Sequence, residues 1–343
     1  MNPPQPAPVA DAERNSAQLA FARAATGDDS ATITAVAADA SARSYWRVSS
    51  TAGSAMLMDA AGMPQVIAPW LDVAARLRAA GLNAPQVLAE DLARGFLLLS
   101  DLGSRLYLSE VNDANADALY GDALDALATI QTRVDPTGLP RYDETLLTTE
   151  LELLPTWFLQ RHLGVAIACE EWDVIEVAFR LLIDNATHQP QVFVHRDFHS
   201  RNLMLVPQHN PGIVDLQDAV RGPITYDLAS LLRDCYITWD DARVRGWAES
   251  HHQRLISAGA LDPRVDAERW QHWFDLTGLQ RHLKVLGIFC RLWYRDGKRG
   301  YLGDLPRVWN YVRSVASRYP ELHDFLALLE RWVGDRDLTK PAA

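Results

Sequence analysis

Two rhythms of apolar and polar positions divide the chain. Between residues 31 and 101 the short runs ATITAVA, SYWRVSS, SAMLMDA, PQVLAED and GFLLLSD alternate β-branched or aromatic residues with polar ones, the period of half-buried strands. An amphipathic stretch near 14–25 precedes them. A helix-like segment from Gln65 to Ala80 interrupts them and stops at Gly81, a residue suited to closing a helix. Beyond about residue 104 the period lengthens to that of helices, over 115–131, 144–162, 170–184, 224–236, 241–258, 264–293 and 305–333. The exception is 191–216, where QVFVH, NLMLV and GIVDL predict a small strand pair among polar loops. The expectation is an α+β protein: a disordered start over 1–13, a strand-rich lobe over 14–103 ending in an Asp101-Leu102-Gly103 hinge, and a helical lobe over 104–343.

With 343 residues, 48% of them hydrophobic and 22% charged, the chain can bury a full core. Its formal net charge of −11 argues against nucleic acid as a partner, because duplex binding depends on clustered Lys and Arg. The three cysteines, Cys169, Cys235 and Cys290, are too scattered for a disulfide framework or a metal knuckle. The start MNPPQPAPVADAER lacks the features of a signal peptide, and no run approaches the length of a membrane span. A monomeric cytoplasmic protein with no membrane partner is expected.

One segment concentrates chemistry. His195-Arg196-Asp197 followed by Asn202 has the form H-R-D-x-x-x-x-N, in which one carboxylate faces an acceptor hydroxyl. The Asn, five residues on, can offer its amide oxygen to a Mg²⁺ on nucleotide phosphates. Asp215, after the apolar Gly212-Ile213-Val214, sits where a second metal ligand belongs, and Asp218 adds a carboxylate beside it. The plainer alternative is a polar hairpin with solvated acids. A metal reading of His195 and His199 finds no recognised ligand spacing.

These residues resemble the aminoglycoside phosphotransferase and choline kinase superfamily, and the resemblance extends over most of the chain. It implies a protein-kinase-like two-lobe fold, ATP and Mg²⁺ as cofactors, Asp197 as the catalytic residue, and Asn202 and Asp215 as metal ligands. In GPITYDLASLLRD, Asp227 matches the acid that buttresses the catalytic loop in such kinases. LLLSDLG looks like their hinge, which implies that backbone groups near Leu99, Ser100 and Asp101 meet adenine. DASARSYWRV, MLMDA, HRDFHSRNLML, GIVDLQDA and QRHLKVLGIFCRL resemble more narrowly the bacterial amino-sugar kinases of peptidoglycan recycling. That resemblance implies a small amino sugar as acceptor, N-acetylmuramate or N-acetylglucosamine, phosphorylated at its anomeric hydroxyl to the α-1-phosphate.

Two departures stand out. The phosphate-covering loop, Asp39 to Ser44, has no glycine, so Ser41, Ser44 and Arg43 are the candidate phosphate donors. No lysine occurs from 31 to 103, and Arg43, rather than the strand residue Arg47, is the expected substitute for the missing phosphate-pairing cation. Arg201, Asp218, Arg281 and Arg291 are the candidate acceptor contacts. Arg281, Lys284, Arg291 and Arg295 share one helical spacing, for which a solvated face is the default. The rivals to this reading are a kinase for an aminoglycoside, choline or another amino-alcohol, and a pseudokinase that binds nucleotide without turnover.

Overall fold

The computed structural model describes residues 9–36 and 43–341, which divide into two units. One comprises the chain through Arg105 together with Val206–Asp218; the other holds Leu106–Leu205 and the chain from Ala219 onward.

The first unit is built on an antiparallel sheet of β1 (Thr32–Val36), β2 (Ser44–Ser50), β3 (Gly53–Asp59), β4 (Val87–Asp91) and β5 (Phe96–Ser100), in the order β1-β2-β3-β5-β4. Alternation along these strands puts Val48, Leu57, Phe96 and Leu98 into a core that α1 (Val9–Thr26) closes with Phe21 and Ala22. Residues 9–13, expected to be disordered, form the start of α1, and their Ala and Glu are good helix formers. Arg14 fastens this helix by a forked pair to Asp59 at the end of β3, its guanidinium 4.1 Å from the Phe96 ring centre. α2 (Ile67–Ala79) ends as the sequence predicts: Gly81 takes φ +84°, and Leu82 N–H donates back to the Leu77 carbonyl at 3.0 Å. Residues 206–218, read as part of the helical lobe, belong to this unit. Ile213 N–H donates to the Asn83 carbonyl at 2.8 Å, a backbone tie that local pattern cannot announce.

The second unit is helical. Its elements are α3 (Tyr107–Glu110), α4 (Ala116–Arg133), α5 (Glu144–Leu151), α6 (Cys169–Thr187), α7 (Tyr226–Leu232), α8 (Asp241–Ser257), α9 (Ala267–Tyr294), α10 (Leu305–Ala316) and α11 (His323–Val333). α9 runs through the core, burying Leu276, Leu279, Leu283, Leu286 and Phe289. At Gly287 it touches backbone, and any Cβ there would collide with the Leu153 carbonyl. Two expected helices are broken by proline, which lacks the N–H to continue the ladder. The run 144–162 becomes α5 and a π-helical turn, Leu154–His162, containing Pro155, while 305–333 splits at the 3-10 turn Pro320–Leu322. The predicted 224–236 helix also shortens to α7, and an unpredicted strand, Val220–Pro223, precedes it. Its Gly-Pro ending hid it from the sequence pattern. This strand pairs antiparallel with Gln191–Val194, Val194 standing opposite Val220 and Gln191 opposite Pro223.

Candidate active site

The loop after strand Gln191–Val194 is held from below by carboxylates. Asp227, in the first turn of α7 and 1% exposed, accepts the N–H of His195 at 2.6 Å and of Arg196 at 3.0 Å. It is the buttress the resemblance implies. Desolvation pushes its carboxyl up to about 6, against the opposing pull of His195 and of the two N–H bonds. A second buried acid, Asp234, accepts both the N–H (2.9 Å) and the hydroxyl of Ser200 and also the Tyr236 N–H at 3.0 Å. Its role was not read from the sequence, although a lone acid closing the apolar run LASLL was a usable signal.

Between these supports the loop presents Asp197 and Asn202. The Asp197 side chain is 41% exposed. Desolvation tends to raise its carboxyl, but the charges of His199, Lys284, Arg281 and Arg196 outweigh it and hold the group below its ordinary value. Asn202 donates its amide N–H to the Asp197 carbonyl at 3.0 Å, which leaves Oδ1 for a cation. The Arg201 guanidinium lies over the Tyr236 ring, 3.9 Å from its centre, and the His199 ring meets that of Tyr236 in a T-shaped arrangement.

The helical cations correct the solvated-face expectation. Arg281 is 5% exposed, donates to the Cys235 thiol at 3.3 Å, and favours the ionised form of Asp197 from within the protein. Lys284 is also enclosed, paired with Glu150 at 2.7 Å and donating to the Tyr226 hydroxyl at 3.2 Å. Arg291 stands ten residues further along α9, ~15 Å at the rise of a helix. Arg281 and Arg291 therefore do not converge on one small acceptor group. Arg295 is exposed and pairs with its neighbour Asp296. Glu150, the partner of Lys284, also binds the Arg196 guanidinium and carries no signal in the alternating ELELL from which it comes.

In the strand-rich unit, Arg43 pairs with Asp215 at 2.6 Å and donates to Gln217, whose amide donates to Asp218 at 2.5 Å. The candidate phosphate cation and the candidate metal carboxylate thus neutralise each other. Asp215 has φ +67°, a left-handed conformation that a short polar side chain tolerates. Ser44 opens β2, with its hydroxyl 3.4 Å from Trp46 Nε1. Ser41 lies outside the described residues.

The hinge residues are more constrained than expected. Leu99 is buried in β5, opposite Met56 of β3 and Val87 of β4, and Ser100 gives its N–H to the Gln86 carbonyl at 2.8 Å. Both were candidates for adenine contact; both sit in the sheet, and the Ser100 N–H is taken up there. The Asp101 side chain is a tie within the unit: it accepts from Arg47, Ser54 and the Gly103 N–H.

Comparison with known proteins places these features. The model of the phosphotransferase enzyme family matches residues 32–271. An N-acetylmuramate/N-acetylglucosamine kinase of Pseudomonas aeruginosa is 44% identical over 292 residues, covering 85% of this chain and 86% of the relative. A protein of the same name from Pseudomonas putida is 42% identical over 297 residues, 87% of each chain. Among solved structures, an aminoglycoside phosphotransferase bound to ADP superimposes with a TM-score of 0.57 at 13% identity, covering 88% of this chain and 97% of the other, which supports a shared fold. Among the described residues, no helix is long and apolar enough to cross a membrane.

Proposed function

We propose that this chain, which belongs to the phosphotransferase enzyme family, transfers the γ-phosphoryl group of ATP to the anomeric hydroxyl of N-acetylmuramate and N-acetylglucosamine in the cytoplasm, as a step of peptidoglycan recycling. The observation that carries this reading is the 42–44% identity, over nearly the whole length of each, to two kinases named for those sugars.

In this reading Asp197 accepts a hydrogen bond from the anomeric hydroxyl. As the sugar oxygen forms its bond to the γ-phosphorus, the bond to the β,γ-bridging oxygen breaks, ADP leaves, and the sugar proton passes to Asp197. The lowered basicity of Asp197 suits this acceptor. An anomeric hydroxyl is more acidic than an ordinary sugar alcohol, so an ionised carboxylate of low basicity is enough. Asn202 Oδ1 and the Asp215 carboxylate are oxygen donors of the kind Mg²⁺ takes alongside water and phosphate, and they would hold that ion. Bound there, Mg²⁺ supplies positive charge to the phosphates. Arg43 releases Asp215 and turns its guanidinium to phosphate, replacing the absent lysine. Asp101 and the residues after it meet the adenine, and Arg201 and Asp218 border the sugar.

The test is mass-spectrometric product analysis from ATP, Mg²⁺ and a panel of N-acetylmuramate, N-acetylglucosamine, its methyl glycoside, choline and an aminoglycoside. Sugar 1-phosphates from the two free sugars alone are expected. Phosphorylation of the methyl glycoside at the rate of the free sugar would move the reaction to another hydroxyl, and turnover of choline or the aminoglycoside alone would overturn the acceptor.

A further inference from the structure

The backbone that carries Asp197 is set one residue earlier. Arg196 has φ +75°, a left-handed conformation that side-chain-bearing residues seldom adopt, so groups outside the residue must hold it there. Asp227 holds its N–H, and Glu150 holds its guanidinium. Glu150 lies at the end of α5, 5% exposed, where an unpaired carboxylate would be costly. It is surrounded by donors from separate segments: Arg196 in the loop, Lys284 on α9 at 2.7 Å, and the Tyr142 hydroxyl, which Gln280 of α9 also reaches at 3.3 Å. One carboxylate against two cations leaves positive charge over, and both cations favour the ionised form of Asp197.

We propose that Glu150 is a positioning residue of the transfer reaction: its carboxylate anchors Arg196, so that the loop presents Asp197 in one orientation, and takes up charge that Arg196 and Lys284 would otherwise direct wholly at Asp197. The inference rests on the role of Asp197 given above. Stability alone is a poor reason for this arrangement, since an apolar cluster of the same volume holds helices together at least as well as buried ions do. Orientation of a strained loop is something such a cluster cannot provide, because only a charged acceptor grips a guanidinium from a fixed direction.

Glu150→Gln keeps the volume and removes the charge. Its kcat should fall about 10- to 100-fold, the scale of a misplaced catalytic group, with the KM values for ATP and sugar little changed. Because the substitution leaves two buried cations facing no carboxylate, thermal stability is expected to drop as well. Adding it to a Lys284→Met background, where one carboxylate faces one cation, leaves one cation rather than two without that carboxylate, which lessens the penalty, and should still lower kcat relative to Lys284→Met alone. Arg196→Lys, which keeps the charge but loses the fork, should lower kcat with the same split, and it carries the test if the Glu150 variants do not fold. Wild-type kcat in Glu150→Gln, in the double variant relative to its background, or in a folded Arg196→Lys would overturn the proposal. All measurements use whichever acceptor the wild type phosphorylates, so failure of the amino-sugar assignment is read from the wild type alone.

Discussion

The catalytic loop and the Arg43–Asp215 cluster carry the same currency, carboxylates matched to donors, in opposite styles. In the loop, Asp227 and Asp234 are buried and grip backbone N–H groups of residues 195, 196, 200 and 236. Backbone donors cannot swing away, so the loop is set before any ligand arrives. In the strand-rich unit, Asp215 is 32% exposed on its side chain and is held by one long side chain, that of Arg43. Arg43 itself is only 6% exposed, so the pair is part-buried, and exchanging it for phosphate and a cation requires both charges to be paired again. In the proposed mechanism the reacting carboxylate would stand on rigid backbone, whereas the groups proposed to meet nucleotide and metal are held by side-chain pairs.

The sharpest break in that comparison is Asp197→Asn, which keeps the shape and removes the proton acceptor. Turnover should fall by about 10²- to 10⁴-fold while nucleotide affinity, measured by calorimetry, is nearly unchanged. Near-normal turnover would remove Asp197 from its role. Asp215→Ala acts on the other side: nucleotide binding should weaken at saturating Mg²⁺ and lose most of its response to Mg²⁺. An unaltered metal response in the variant would make the Asp215 assignment wrong.

The two styles should also separate by pH. Asp197 is held below the ordinary carboxylate range, so it does not set the acid limit of activity near neutrality. Asp227, whose carboxyl desolvation raises to about 6, is expected to: below that pH it gains a proton and its hold on the His195 and Arg196 N–H groups weakens. We expect kcat to fall as pH drops through about 6, and Asp227→Asn to be slow at all pH values with that limb flattened. Stability runs the other way for this group. A folded-state value above the unfolded one means the folded protein binds the extra proton, so Asp227's contribution declines as pH rises from about 3.8 to about 6 and is level above. An acid limb near 6 that survives in Asp227→Asn would assign it elsewhere.

The smallest effect belongs to Arg47, half-exposed and paired with Asp101. Arg47→Ala should cost less than about 1 kcal/mol in denaturant unfolding and leave kcat unchanged. A large fall in ATP affinity would instead mean that the Asp101 tie shapes the adenine site.

Much of this was legible in the chain itself. The strands, Gly81 as a helix stop, the H-R-D-x-x-x-x-N loop and Asp227 all depend on short spacings or side-chain periods, and those are written locally. Composition and motif together were enough to call for an α+β fold and a phosphotransfer loop. What only the tertiary structure decided lies in pairings between distant residues: Arg43 with Asp215, Arg47 with Asp101, Ile213 with Asn83, and Glu150 with Arg196 and Lys284. The spacing that made Arg281 and Lys284 look like a solvated stripe says which side of α9 they occupy but not what packs there. A helix period fixes a face, while the burial of that face, and the partner that makes a buried charge tolerable, depend on segments more than a hundred residues away.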